Sequence, residues 1–308
     1  MRITLNMQTS GALLSINDQQ EKITQLSQQI ASGVTLSAPS DDPYVWAQTM
    51  NINQGLDQYN SLLSNINFAT GWGQATESSL SQLSDLVTQA KQIAISATSA
   101  METNQTGALA GEVSGVLQQA VNLANSQYGN QYIFGGTNTG SAPFSIDEST
   151  GAVTNNGNPD YIQVKTSTSD GADNTTSVNL TGDDVFTYTS GGNPANLLQT
   201  IWGLGQAIQN GDTNSISSDL TSLSDAFDHI NTESAINGAT LSALTNQQSA
   251  INVIQTNQKS TLSGLEDTDI ATATTKLTQA QTAYQAALQV TGMLDNLNLA
   301  SLLTSTSA

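Results

Sequence analysis

Residues 31–50 read ASGVTLSAPSDDPYVWAQTM, and they interrupt helical hydrophobic periodicity with two prolines, a glycine and an aspartate pair. Gly33 stands where a helix stops, because the residue beyond a helix C-terminus commonly turns left-handed, a conformation glycine takes without steric cost. Pro39 biases Ala38 away from helix. Asp42 then occupies an N-cap position with Pro43 at the first helical residue, where the missing N–H of proline is no loss. Asp41 and Asp42 also lie near the positive end of the new helix. Pro39, Asp41, Asp42 and Pro43 therefore form an inter-segment joint, a hard stop followed by a capped restart.

On the N-terminal side, Ile16, Ile23, Leu26 and Ile30 make a partial heptad. Beyond the joint a seam of Ile52, Leu56, Tyr59, Leu63 and Ile66 resumes past Gly71-Trp72-Gly73 as Leu80, Leu83, Val87, Ala90, Ala94, Ala97 and Met101. No proline occurs in 44–142 or 195–308, as long helices require. A continuous helix over 44–101 would span about 87 Å at ~1.5 Å per residue. Residues 108–130 read as another helix. Helical pattern returns at Leu197 and runs through Leu241, Leu244, Gln248, Ile251, Leu262 and Leu265. The last arm carries Ile270, Ala273, Leu277, Ala280, Tyr284, Ala287, Thr291 and Leu294 at alternating three- and four-residue spacing.

Between the helical halves the character changes. From TyrIlePheGlyGly (132–136) to about residue 195, Gly, Pro, Asn and Thr separate short alternating segments, YIQVKTST, TSVNL and DVFTYT, which are strand signals. The pattern predicts a mainly α fold with a small β insertion: a long helical-bundle or coiled-coil rod built from both chain termini, with an outer β-rich domain. The divisions expected are 1–42 with 265–308, 43–135 with 196–264, and 136–195. Neither terminal arm buries its stripe alone, so the two ends are expected side by side, completed by further partners. The expected assembly interface is Ile16, Ile23, Leu26, Ile30, Ile270, Leu277, Tyr284 and Leu294.

Composition narrows the function. The 308 residues carry 25 acids against 6 bases, for a net charge of −19, so phosphate backbones and anionic membranes are poor partners. Apolar residues make up only 37%, which suits narrow seams between helices better than one broad core. There is no cysteine, and no apolar run is long enough to span a membrane. No apolar signal region follows Arg2, so no cleavable secretory signal is expected. The single histidine, His229, has Asp225 and Asp228 nearby but no second imidazole for a zinc site. The acidic runs Asp183-Asp184 and Glu266-Asp267-Thr268-Asp269 lack the spacing of a calcium loop and suit turns or helix caps. No acid, base and nucleophile converge in the pattern, so neither catalysis nor a metal or cofactor is expected.

Four stretches carry a resemblance: MRITLNMQ (1–8), LSQQIASGVTLSAPSDDP (26–43), NLANSQYGNQYIFGGTNTGSAPF (122–144) and LQVTGMLDNLNLASLL (288–303). Together they resemble the bacterial flagellin superfamily, most closely its hook–filament junction branch, whereas flagellin itself tends to carry a differently worded joint. The resemblance implies a structural junction adaptor ring between hook and filament, assembled through its terminal helices. Implied partners are further copies of the chain, the hook-side junction protein (hook-associated protein type 1), flagellin and a flagellar export chaperone. It also implies export through the flagellar type III channel to the cell exterior, with arms that order on assembly. Other readings are a filament flagellin, or an acidic extracellular adhesin or binding module using 136–195.

Overall fold

The computed structural model describes residues 5–100, 105–147, 149–167 and 175–305. Long helices dominate: α1 (Leu5–Ser32), α2 (Pro43–Ala100) and α3 (Thr106–Ala124) precede the β insertion, and α5 (Leu197–Asn210), α6 (Thr213–Glu266) and α7 (Ile270–Ser305) follow it. Between them lie β1 (Gln127–Tyr128), β2 (Gln131–Tyr132), β3 (Phe144–Asp147), β4 (Ala152–Asn155), β5 (Gln163–Lys165), β6 (Thr175–Ser177), a short α4 (Gly182–Phe186), β7 (Thr187–Ser190) and β8 (Asn193–Asn196). The strands pair consecutively as antiparallel hairpins, β1 with β2 through β7 with β8. The chain divides into two compact units, residues 1–57 with 254–308, and residues 58–253.

The larger unit, 58–253, holds the main core. Trp72, Phe134, Phe186, Leu80, Leu83, Leu197, Leu198, Ile201 and Leu204 are fully buried there. Each such side chain contributes roughly 1.5–3 kcal/mol by leaving water. Within this unit α2 and α6 run antiparallel and are keyed by polar contacts. Asn237 Nδ2 donates to the Gly73 carbonyl at 2.9 Å and to Glu77 Oε2 at 3.0 Å. Ser234 Oγ donates to Glu77 Oε1 at 2.6 Å, and farther along Gln248 Nε2 donates to Asn67 Oδ1 at 2.8 Å. Because Asn237 is buried, sliding one helix along the other strands its amide without partners, so the register is set by hydrogen bonding as well as by the apolar seam.

The IFGG…PF motif is the hinge between helical and β regions. Ile133, Phe134 and Phe144 are buried, and Phe134 and Phe144 both pack on Phe186, with ring centroids 5.5 and 4.8 Å away. Asn125 clamps the strand at Phe144, accepting its N–H and donating to its carbonyl, both at 2.9 Å. Gly136 has φ +64°, and a Cβ there would lie 1.6 Å from the Asn158 carbonyl oxygen. The glycine exists so that the 155–160 loop can pass against bare backbone. At the far hairpin, β7–β8 turns through Gly191 and Gly192, both at positive φ with open space around them.

Two elements differ from their sequence reading. The helix expected over 108–130 stops at Ala124, where Asn125 turns inward, and Gly129 and Asn130, at φ 56° and 66°, make the turn of the β1–β2 hairpin. In DVFTYT only the second half is strand. Thr181 accepts the Asp184 N–H while the Asp184 carboxylate accepts the Thr181 N–H, and this capping box starts α4 through Val185 and Phe186.

Asp219 of α6 is half-buried, and that burial, with a smaller contribution from Asp212, pushes its carboxyl from 3.8 up to about 6. A raised carboxyl pKa costs stability above its folded value and stops costing it below the unfolded value. Stability should thus rise as pH falls from 7 through 6 toward 4. Asp219→Asn should stabilise the chain at pH 7 by about 1 kcal/mol after screening, with the gain vanishing near pH 4 in thermal melts. Gly136→Ala should cost about 2–4 kcal/mol in near-ultraviolet circular dichroism melts, while Gly140→Ala, which meets nothing within 4 Å, should be close to neutral.

Candidate assembly site

The smaller unit, 1–57 with 254–308, contains the joint and both terminal helices. Its outgoing break is built as the sequence pattern requires. Gly33 has φ +75°, and its N–H donates to the Gln29 carbonyl at 2.9 Å, closing α1. Asp42 Oδ1 accepts from Tyr44 and Val45 N–H at 3.0 and 3.1 Å, capping α2, which opens on Pro43. Asp41 does a different job: its Oδ2 accepts from Ser37 and Ala38 N–H, both at 2.9 Å, and so ties the loop that carries Pro39.

The returning chain is broken too, and the two breaks are fastened to each other. Thr35 donates its N–H and its hydroxyl to the Glu266 carbonyl, both at 2.6 Å, and Thr268 N–H donates to the Gly33 carbonyl at 2.9 Å. Val34 and Asp267 form an antiparallel bridge. Gln29 Nε2 adds a bond to the Thr35 carbonyl at 2.9 Å. Asp269 then caps α7, accepting Ala271 N–H at 3.0 Å, Thr272 N–H at 3.2 Å and the Thr272 hydroxyl at 2.7 Å. Those bonds hold its carboxyl below the usual aspartate range, the Thr272 side chain contributing most. Three main-chain-directed bonds between residues more than 230 apart in sequence make this the clasp of the terminal unit.

Past the clasp, α1 packs along α7. Of the expected interface, Ile16, Ile23, Leu26 and Ile30 line the α1 side, and Leu277 and Tyr284 the α7 side, all half-buried. Ile270 points outward at 56% exposure. The side chain of Leu294 lies outside the described residues. Ala12, Gln19 and Gln29 also face the seam, where a reading of apolar residues alone passes over the glutamines. The seam is thin. Among the described side chains α1 buries none fully, and α7 buries only Ala273 and Ala280. Apolar groups remain outside it: Met7, Leu13 and Leu14 on α1, and Leu288, Val290 and Met293 on α7, are 46–69% exposed.

The other candidate residues are structural in the larger unit. His229 Nε2 lies 2.6 Å from the Asp184 carbonyl, with the ring 6.3 Å from that of Tyr188, while Asp225 accepts from the Ser190 hydroxyl at 2.7 Å. No group of three or more metal-ligating side chains gathers among the described residues, and no described helix is long and apolar enough to cross a membrane.

The bacterial flagellin N-terminal helical region matches residues 3–139, and the bacterial flagellin C-terminal helical region matches 220–303. The chain belongs to the bacterial flagellin family. The two matched regions contain α1, nearly all of α7 and both sides of the clasp at Val34 and Asp267. This flagellin-family chain is 32% identical over 153 residues to flagellar hook-associated protein 3 of Salmonella typhimurium, covering 49% of the chain and 48% of that protein. It therefore spans about half the length of the curated relatives it matches. Its fold is similar to the FlgL crystal structure from Xanthomonas campestris, with TM-score 0.60 and 17% identity, over 69% of this chain and 99% of that one. The flagellar junction protein FlgL from Legionella pneumophila gives TM-score 0.59 and 16% identity over 71% and 100%.

Because Asp42 caps α2, Asp42→Ala should cost about 1 kcal/mol locally, read as roughly five-fold faster amide exchange at residues 44–47. Exchange in the 58–253 unit should stay unchanged.

Proposed function

We propose that this chain is a structural component of the bacterial flagellum, a junction adaptor that connects hook to filament as a ring of subunits joined through their terminal helices. The observation that carries the reading is the clasped pair α1–α7: a register held by main-chain bonds, a thin seam, and seven large apolar side chains among the described residues left facing outward. A pair so poorly buried gains most when neighbouring copies cover the remaining stripe. The likeness to hook-associated protein 3 supports the junction role over a filament role. Copies of the chain, a hook-side junction protein and flagellin are its partners, an export chaperone escorts it, and it works outside the cell. Its role is mechanical, and residues 136–195 act as an outward spacer.

In this reading the joint at Pro39–Pro43 separates segments that consolidate at different times. Segments 1–42 and 265–308 complete their folding on assembly, whereas the unit around Trp72 and Phe134 is stable alone.

Brief proteolysis of the purified chain should remove roughly the first 40 and last 40 residues and spare the centre. Ends as resistant as the centre would count against assembly-coupled folding. Electron microscopy of a deletion strain should show hooks without filaments, with flagellin shed into the medium. Normal filaments in that strain would overturn the junction role, and long filaments grown from the purified chain alone would point to a filament subunit instead.

A further inference from the structure

The chain has Asn-Gly pairs at 156–157, 210–211 and 237–238, a dipeptide prone to attack of the glycine nitrogen on the asparagine side chain. The fold treats the three differently. Asn237 is buried inside α6, and its amide is held by the Gly73 carbonyl and Glu77. Asn156 is pinned on both sides: its N–H donates to the Pro143 carbonyl at 2.7 Å, and its carbonyl accepts from Asn138 Nδ2 at 3.2 Å. The would-be nucleophile beside it, Gly157 N–H, is already donated to Asn155 Oδ1 at 2.9 Å. Asn210 is exposed, its side chain makes no hydrogen bond among the described residues, and it precedes an exposed Gly211 at φ +70°. The Gly211 N–H is shared between the Ala207 and Ile208 carbonyls and the Asp212 N–H donates to the Ala207 carbonyl at 2.9 Å, so attack at Asn210 proceeds through opening of the last helical turn, where local opening costs least.

We propose that Asn210–Gly211 is a site of spontaneous deamidation and isoaspartate formation in the folded chain. Solvent base removes the Gly211 amide proton, and that nitrogen bonds to Cγ of Asn210. The Cγ–Nδ2 bond breaks and ammonia leaves, taking its proton from water, to give a cyclic imide. Water then opens the imide at one carbonyl to aspartate or at the other to isoaspartate. The net change is one water consumed and one ammonia released, with no oxidation or reduction.

The product matters to its surroundings. A new carboxylate at the C-terminal end of α5 opposes the helix dipole and stands two residues from Asp212, the residue that caps α6 by accepting Asn214 and Ser215 N–H at 3.1 and 3.2 Å. Isoaspartate also adds a backbone carbon beside the left-handed cap at Gly211.

The test is incubation of the full chain at mildly alkaline pH, native and in denaturant, followed by peptide mapping for the amide-to-acid mass gain and for isoaspartate. Native chain should convert Asn210 roughly tenfold or more faster than Asn156 or Asn237, whereas denatured chain should convert all at similar rates because protection by structure is gone. Asn210→Gln should abolish the early mass gain without moving the other sites. Conversion of Asn156 or Asn237 as fast as Asn210 in the native chain overturns the assignment. So does an Asn210 that stays intact while the denatured chain converts.

Discussion

The terminal unit rests on a bond between two interruptions. α1 and α7 share a seam too shallow to choose its own register, since half-buried isoleucines, glutamines and alanines slide past one another at small cost. The main chain decides instead. Thr35 and Thr268 exchange hydrogen bonds with Glu266 and Gly33, and this happens only because each long helix is broken at the same level, by Gly33 on the way out and by Asp267–Asp269 on the way back. A helix with every N–H and C=O already paired has nothing to offer a neighbour. The joint is therefore both a stop and a source of free backbone groups.

Helices of 58 and 54 residues are unusual in a chain with only 37% apolar residues. Their exposed faces are dressed in Ser and Thr that donate to carbonyls one turn back, as at Thr240, Thr245, Ser249 and Thr261 of α6. Such hydroxyls add no apolar burial and little helix propensity. What keeps these helices together in the 58–253 unit is a narrow line of buried Leu, Ile and Ala with a polar key at Glu77, Ser234 and Asn237. The economy of apolar residues is spent on lines of contact, not on volume.

Much of this was legible in the sequence, for local reasons. Gly33, Asp42 and Pro43 specify a stop and start through their own backbones, and the three-four spacing from Ala273 to Thr291 places one face of α7 correctly. What stayed hidden was long-range or locally contested. Nothing in the stretch around Thr35 announces Glu266. Asn125 ends α3 because Phe144 waits for its amide, and Val185 and Phe186 are helical because the Thr181–Asp184 box overrides their preference for strand. In the candidate site, Gln19 sits at a seam position that a purely apolar pattern leaves blank, and Ile270 faces water although its spacing fits.

The β7–β8 hairpin has a practical corollary. At its turn, Gly191 and Gly192 have open space where a Cβ would stand and φ values most side chains avoid, while the Tyr188 hydroxyl is bonded to Thr200 at 2.9 Å and Ser190, just before the turn, is held by Asp225. A foreign epitope spliced between those glycines would leave from a strand end already fastened to α6 through Ser190, with the buried aromatics undisturbed. The molecule thereby offers a ready-made platform for displaying peptides.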